Sequence, residues 1–191
     1  GGTLVEGGVL QAGIDGAFVN NTAFAVNGGK LDLNNFNVSM SSLMGEGGTL
    51  SLGSAALTVN QSANTRFDGN IDGTGSLTKS GSGVLVLNGA NTYTGGTTVK
   101  EGGLVIGDAS HSGAFLGGTV SVENGAHLSG AGFIGGLYAG AGSIIAPGNS
   151  IGTLKVTGNL AFDAGATYVT EIDAAGKSDR IDVSGTAALG G

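Results

Sequence analysis

The sequence contains no cysteine and no tryptophan, and it has a single proline, Pro147, in 191 residues. Without cysteine, disulfides cannot stabilise the fold. A cytosolic protein can lack cysteine, and so can a surface protein that must stay unfolded until it has crossed a membrane. Only 11% of the residues are charged, and seven Lys and Arg against fourteen Asp and Glu give a net charge of −7. We therefore expect no nucleic-acid partner, since no basic surface is available.

Long apolar segments are missing as well. The longest stretches without glycine, residues 30–44 and 54–68, are shorter than the roughly 20 apolar residues that a transmembrane helix needs. The N-terminus also lacks the basic and apolar regions of an export signal. These absences predict a fragment of a longer chain that is not itself inserted in a membrane.

Glycine is the most abundant feature, with 41 residues in a chain that is 40% hydrophobic. Collagen needs glycine at every third position and abundant proline, whereas these glycines come as irregular GG pairs and G-x-G. Disordered glycine-rich linkers lack the apolar residues found here. The composition indicates a folded chain that turns often at glycine.

Short apolar alternations with a period of two recur along the chain and predict short strands with one buried face. The pairs are Leu31 and Leu33, Leu50 and Leu52, Leu57 and Val59, Leu85 and Leu87, Val120 and Val122, Leu154 and Val156, Leu160 and Phe162, and Ile181 and Val183. Glycine inside a helix costs about 1 kcal/mol relative to alanine, so we predict almost no helix. Gly, Asn and Asp between the strands favour tight corners.

Equivalent strand positions recur every 17 to 22 residues, which indicates a solenoid. The expected equivalences are Leu31 to Leu50, Leu57 to Leu77, Leu85 to Leu104, Val99 to Val120, Val120 to Leu137 and Leu137 to Leu154. Leucine-rich and calcium-binding nonapeptide patterns are missing, so we predict an all-β, right-handed, single-stranded parallel β-helix (a solenoid) forming one continuous unit. TLVEGGVLQ at residues 3–11 also matches TVKEGGLVI at 98–106, which predicts equivalent places in the repeat.

Residues 73–107 closely resemble the passenger-associated transport repeat of bacterial autotransporters. The matching positions are Leu77, Lys79, Gly81, Gly83, Leu85, Leu87, Gly89, Asn91, Tyr93, Gly95, Thr97, Val99, Gly102 and Leu104. From this stretch we predict a structural motif of Lys79, Gly89, Asn91, Tyr93, Gly95, Gly96 and Thr97.

Residues 142–190 resemble the next element of those proteins, the autochaperone or junction region. Its APGNSIGTL signature stands at Ala146 to Leu154, and its D-x-[IL]-x-V-x-G piece runs from Asp179 to Gly185. The structural motif residues predicted here are Pro147, Gly148, Asn149, Ser150, Gly152, Asp179 and Gly185. The resemblance implies β-helix stalk rungs over residues 1–141 and a capping autochaperone region over 142–191.

The resemblance further implies a function and a location. The chain would be the C-terminal passenger part of an autotransporter, a stalk with an autochaperone that nucleates folding and supports surface display of a virulence factor or adhesin. Its implied partners are its own C-terminal outer-membrane β-barrel, the barrel-assembly machinery and a host surface. The implied location is the cell surface, or secretion, in a Gram-negative bacterium. Two alternatives stay open: an adhesin module that contacts host glycan or protein, and the stem of a subtilisin-like protease.

Other residues offer less specific candidate sites. His111 and His127 could each join a nearby Ser and Asp, but neither lies in a hydrolase motif. A carboxylate set that could collect Ca²⁺ comprises Asp163, Glu171, Asp173, Asp179 and Asp182. We interpret Asn91 and Tyr93 as capping a rung, with ligand contact as the alternative. We interpret Phe133, Tyr138, Phe162 and Tyr168 as core filler, with a carbohydrate platform as the alternative. We thus expect no catalytic residue, no metal and no cofactor, and we predict that the chain is not an enzyme.

Overall fold

A computed structural model describes residues 1–190, and these form β-strands joined by turns, without a helix. The strands are β1 (Thr3–Val5), β2 (Val9–Gln11), β3 (Thr22–Val26), β4 (Lys30–Asp32), β5 (Val38–Met44), β6 (Thr49–Ser51), β7 (Ala56–Asn60), β8 (Thr65–Phe67), β9 (Asn70–Asp72), β10 (Ser76–Ser80), β11 (Val84–Leu87), β12 (Ala90–Asn91), β13 (Thr97–Val99), β14 (Gly103–Ile106), β15 (Phe115–Val122), β16 (His127–Gly130), β17 (Phe133–Ala139), β18 (Ile144–Pro147), β19 (Thr153–Val156), β20 (Leu160–Phe162), β21 (Thr167–Tyr168), β22 (Arg180–Val183) and β23 (Ala187–Leu189). Over this range nothing helical is long and apolar enough to cross a membrane.

The strands stack in parallel as a solenoid of about eight turns. Every pairing between named strands is parallel, and each strand pairs with strands roughly one turn away along the chain. The prediction of an all-β parallel solenoid is confirmed.

The ladders run along three faces, and alternate residues of each strand point inward. On the first face the inward column includes Val38, Leu57, Leu77, Thr97, Val120, Leu137 and Leu160. On the second face it includes Phe67, Leu87 and Ile106, and on the third Leu116, Ile134 and Val156. All of these side chains are buried. A single turn cannot bury its apolar side enough to be stable alone, so the core forms only by stacking turns.

Two of the expected equivalences are wrong. Val99 pairs with Val122 rather than Val120, and Leu137 pairs with Leu160 rather than Leu154. The physical reason is that two corners are longer than the corners on which they stack. Ile106 and Leu116 are ten residues apart where Leu87 and Asn91 are four apart. Ile145 and Val156 are eleven residues apart where Leu128 and Ile134 are six apart.

The match between residues 3–11 and 98–106 is also wrong as an equivalence. β1 pairs with β3, and β3 pairs with the second half of β5. The bridge between Gly45 and Phe67 connects this ladder to β8, so β1 lies on the second face. β13 lies on the first face, in register with β10. The two stretches share a strand, a glycine corner and a strand, and this pattern recurs at different corners of the solenoid.

The turns after residue 162 are more exposed than those in the middle of the stack, as is the first turn. The inward side chains of Phe162, Ile181 and Val183 are only partly buried, and Leu189 is 75% exposed. An apolar cavity of about 430 Å³ opens between them.

Candidate functional site

Several polar groups of the predicted motif lie inside the apolar core. Lys79, Asn91, Tyr93 and Thr97 are each at most 1% exposed, and all four belong to two neighbouring turns. Buried polar groups cost free energy unless they are hydrogen-bonded, so their partners decide what this cluster can do.

Lys79 occupies an inward position of β10, in register with Val59 and Val99. Its ammonium group donates to the carbonyl oxygens of Ser80, Gly81 and Glu101 at 2.9, 2.7 and 3.2 Å. Burial lowers the pKa of Lys79 to about 8, although the nearby Glu101 carboxylate acts in the opposite direction. The side chain therefore ties one corner to the corner of the next turn from within the core.

The side chain of Asn91 takes the place of a main-chain hydrogen bond between strands on the third face. Its Oδ1 accepts the Ile71 N–H at 3.1 Å, one turn back, and its Nδ2 donates to the Gly89 carbonyl at 3.1 Å. Asn70 acts in the same gap, since its Oδ1 accepts the Ala90 N–H at 2.8 Å. Together these amides bridge β9 to β12, where a regular main-chain ladder is interrupted.

Tyr93 is fully buried, and its hydroxyl bonds to the Thr97 hydroxyl at 2.5 Å. Burial raises the pKa of Tyr93, and the bond to Thr97 acts in the opposite direction. Thr97 stands in the first-face column between Leu77 and Val120. Each of these two buried hydroxyls thus has the other as its hydrogen-bond partner.

Two glycines of the motif are required by close approach of neighbouring turns. A Cβ on Gly89 would lie 2.0 Å from the Gly69 carbonyl oxygen, and one on Gly95 would lie 2.1 Å from the Gly75 carbonyl oxygen. Gly96 is different, since its nearest atom, the Thr119 carbonyl oxygen, is 3.5 Å away.

The segment around the proline joins two strands on different faces. Pro147 is the last residue of β18, and Gly148 follows with a φ of +87°, a value suited to glycine. The Gly148 N–H donates to the Gly130 carbonyl at 2.8 Å. Asn149 reaches two turns back, where its Nδ2 donates to the Gly107 carbonyl at 2.9 Å.

Asp179 fastens this segment to the last turns. Its Oδ1 accepts the Gly152 N–H at 2.7 Å, and its Oδ2 accepts the Glu171 N–H at 2.8 Å. Its own carbonyl accepts from the hydroxyls of Tyr168 and Thr170 at 3.3 and 3.2 Å. Asp179 is only 5% exposed. We call Asp179 with Gly152 and Glu171 the Asp179 clasp.

The other two motif residues of this region have separate surroundings. Ser150 is exposed on the loop. Gly185 approaches the preceding turn, where a Cβ would lie 2.5 Å from the Gly158 carbonyl oxygen. The structure thus brings Pro147, Gly148, Asn149 and Gly152 together with Asp179, and it leaves Gly185 apart from them.

A column of side chains at one corner was not predicted. Asn88 Nδ2 donates to Asp68 Oδ1 at 2.7 Å and to Asp108 Oδ2 at 2.8 Å, and Asn88 Oδ1 accepts the Asp108 N–H at 3.0 Å. Partial burial would raise the pKa of Asp108, but hydrogen bonds from His111, Asn88 and the Ser110 N–H hold it below the ordinary value. The spacing of 20 residues between these three positions was the available signal.

The alternative sites do not assemble into a catalytic or metal centre in the described part of the chain. His111 Nδ1 lies 2.6 Å from Asp108 Oδ1, but no serine hydroxyl bonds to either histidine ring within residues 1–190. Over that range, no three Asp, Glu or His side chains are arranged so that they could hold a metal ion.

None of the four aromatic side chains predicted to fill the core is fully buried: Phe162 packs against the core only partly buried, and Tyr168 is 43% exposed. Phe162 and Tyr168 pack edge to face with ring centroids 6.4 Å apart. Tyr138 is 42% exposed, and its hydroxyl bonds to Asp163. Phe133 lies under Lys155 Nζ, which is 4.3 Å from its ring centroid. The interpretation of Phe133 and Tyr138 as core filler is wrong, because they occupy the outward positions of β17.

Comparison with known proteins agrees with this geometry. Residues 77–106 match the family described as passenger-associated-transport-repeat. The chain is 43% identical over 115 residues to an extracellular serine protease of Serratia marcescens, covering 60% of this chain and 10% of that protein. It is 41% identical over 110 residues to the adhesin BmaC autotransporter of Brucella suis biovar 1 (strain 1330), covering 53% of this chain and 3% of that protein. The chain thus spans a tenth or less of these relatives.

The fold is a parallel β-solenoid. Its residues 77–106 match the passenger-associated-transport-repeat family, as the sequence predicted, and part of the chain is similar to an autotransporter adhesin. The same relatives support the expected location at the cell surface or in the secreted fraction of a Gram-negative bacterium. Because the protease match covers only a tenth of that protein, the expectation that this chain is not an enzyme stays a prediction.

Proposed function

We propose that this chain is the C-terminal part of an autotransporter passenger, and that residues 142–190 nucleate its folding. In this proposal residues 1–141 form the stalk, and the following region is the first to fold outside the cell. The full protein would then carry a C-terminal outer-membrane barrel domain as its partner. A folded edge would act as a template on which preceding turns stack.

The observation that carries the proposal is the long reach of the contacts made by the 147–152 segment. Asn149 bonds to Gly107, 42 residues earlier and two turns back, while Gly152 bonds to Asp179 in the following turn. Most other side-chain contacts between turns span 18 to 23 residues. This segment therefore holds together more turns than an ordinary corner, as a folding nucleus requires.

Folding kinetics of the 191-residue chain test the proposal. Leu154→Ala and Leu50→Ala each remove a fully buried leucine, the first beside the 147–152 segment and the second in β6. For a nucleus at residues 142–190, Leu154→Ala slows folding with a φ-value near 1, whereas Leu50→Ala mainly speeds unfolding with a φ-value near 0.

Leu50→Ala is also the matched control, because both variants remove the same side chain from the same depth of burial. Equal φ-values at the two positions, or the reverse order, would overturn the nucleation role and leave only a uniform stalk. Denaturant chevrons measured for both variants give the two rates directly.

A second candidate is a stem that presents an adhesive or proteolytic domain lying elsewhere in the full protein. It is favoured by the relatives, one of which is named an adhesin and another a serine protease. A binding assay with the isolated chain on host cells distinguishes this stem from an adhesive module. A stem shows no binding, whereas an adhesive module binds.

A further inference from the structure

Cations are rare in this protein, and three of its seven Lys and Arg lie around one groove. Lys155, Lys177 and Arg180 line that groove. Of the other four, Lys30 pairs with Asp32, Arg66 pairs with Asp68, Lys79 is buried, and Lys100 is exposed on a separate corner. In a chain of net charge −7, such a concentration sets this surface apart.

The groove runs beside the loop that follows Gly148. Its first part has a volume of about 520 Å³ and is lined by residues of that loop together with Ser112, Ala131, Lys155 and Arg180. It continues past Thr153 toward Lys177 and Ser178 with a further volume of about 380 Å³. Both volumes lie in the range of about 300 to 1,000 Å³ found for small-molecule sites. We call this surface the cationic groove.

The polar groups of the cationic groove are available to a ligand. Among residues 1–190, Lys155 and Lys177 form no ion pair. Over the same range, the hydroxyls with no intramolecular hydrogen bond include those of Ser112, Ser150, Thr153 and Ser178. By contrast, the buried polar side chains of the transport repeat, which are Lys79, Asn88, Asn91, Tyr93 and Thr97, all have partners within the fold.

The nearby carboxylates are already engaged. Asp179 uses both oxygens in the Asp179 clasp. Asp182 pairs with Arg180 at 3.1 Å. Lys155 lies over the Phe133 ring rather than beside Asp182, its partner in register. Lys155 and Lys177 therefore line the cationic groove without an ion pair, and among the described residues no carboxylate lines it.

We propose that the cationic groove binds an acidic oligosaccharide, one that carries carboxylate or sulfate groups. The ammonium groups of Lys155 and Lys177 would pair with the acidic groups. The serine and threonine hydroxyls would bond to sugar hydroxyls, and Ile151 and Ala131 offer an apolar surface for a ring face. A nucleic acid would need many more cations than this surface has. The inference does not depend on the folding role proposed above.

Titration calorimetry of the 191-residue chain tests the proposal with three probes at low and high salt. The probes are a sulfated and carboxylated heparin hexasaccharide, a carboxylated galacturonate hexasaccharide and neutral maltohexaose. We expect both acidic probes to bind, the neutral probe not to bind, and affinity to fall with added salt. Binding of inorganic sulfate as tightly as of the hexasaccharides would overturn the saccharide assignment.

Matched charge variants locate the site. Lys155→Gln with Lys177→Gln removes two charges from the cationic groove, and Lys30→Gln with Lys100→Gln removes two charges elsewhere. We expect the first pair to weaken hexasaccharide binding by at least about tenfold, and the second pair by less than about twofold. Equal losses, or no binding by the unaltered chain, would overturn the proposal. Thermal melting of both variants confirms that they fold.

Discussion

The carboxylate of Asp179 accepts the main-chain N–H of Gly152 at 2.7 Å, although 27 residues separate the two. Asp179 is buried, the contact itself is partly buried, and the second carboxylate oxygen accepts the Glu171 N–H. One side chain thus fixes the loop after the only proline against the final turns.

Removing the Asp179 carboxylate should destabilise the chain by about 1 to 3 kcal/mol. Asp179→Ala leaves the partly buried N–H groups of Gly152 and Glu171 without this acceptor, and a buried N–H without a partner costs about 1 to 3 kcal/mol, less where water reaches it. Asp182→Ala is the control, because that carboxylate is half exposed and pairs only with Arg180. It should cost less than about 0.5 kcal/mol. Urea unfolding measures both, and equal losses would show that the Asp179 clasp has no special role.

The buried Lys79 should make stability rise with pH between 8 and 10. Its folded pKa of about 8 lies below the ordinary 10.5, so protonation favours the unfolded chain. This penalty is fully present below pH 8, and it is relieved as the pH rises toward the unfolded value. Relative to Lys79→Met, the unaltered chain should gain about 2 kcal/mol over this interval.

Lys100→Met is the control for this pH dependence, since Lys100 is exposed on the following corner. Its unfolding free energy should follow that of the unaltered chain at every pH. Parallel curves for Lys79→Met and the unaltered chain would contradict the buried charge.

Asn88→Asp should destabilise the chain by about 2 to 4 kcal/mol at pH 7, because three carboxylates would then adjoin in one column. The variant loses the amide donor that now bonds to Asp68 and Asp108. The crowded carboxylate has a raised pKa, so its penalty is present above that pKa and shrinks as the pH falls. Melting at pH 7 and pH 4.5 measures the difference. The exposed Asn124→Asp should show no such pH dependence.

Proline should be tolerated or harmful according to its place in the ladder. Pro147→Ala should cost about 1 kcal/mol, because Pro147 ends β18 and only a small part of the ring is lost. Val86→Pro should cost more than about 3 kcal/mol, since β11 pairs with β8 on one side and β14 on the other. Guanidinium unfolding compares the two, and similar midpoints would contradict this assignment of the faces.

Much of the fold could be predicted because the alternation of apolar residues sets which side of each strand is buried. Leu57, Leu77 and Leu137 all lie inward in the expected strands. Tyr138 could have been assigned correctly as well, because it stands between the inward Leu137 and Ala139. We expected Tyr138 and Phe133 in the core because they are aromatic, whereas the alternation of apolar residues correctly indicates that they point outward.

The register and the contacts of the final turns could not be predicted in the same way. The number of residues per turn is set at the corners, and a corner such as Gly117 to Gly118 can lengthen without changing the strand pattern. Asp179 reaches Gly152 across an irregular excursion that contains the short hairpin between Ile172 and Ser178. Nothing in local periodicity encodes that distance, whereas the family resemblance did single out both residues.

The parallel stacking of turns also gives the molecule a mechanical character. Adjacent turns on the first face are 20 residues apart at Leu57 and Leu77, yet each adds only about 4.8 Å to the length of the stack. A turn pulled from the end of the stack would therefore release about 70 Å of extended chain. Under shear the solenoid would lengthen in discrete steps, so that a surface-bound protein carrying it could absorb tension without detaching.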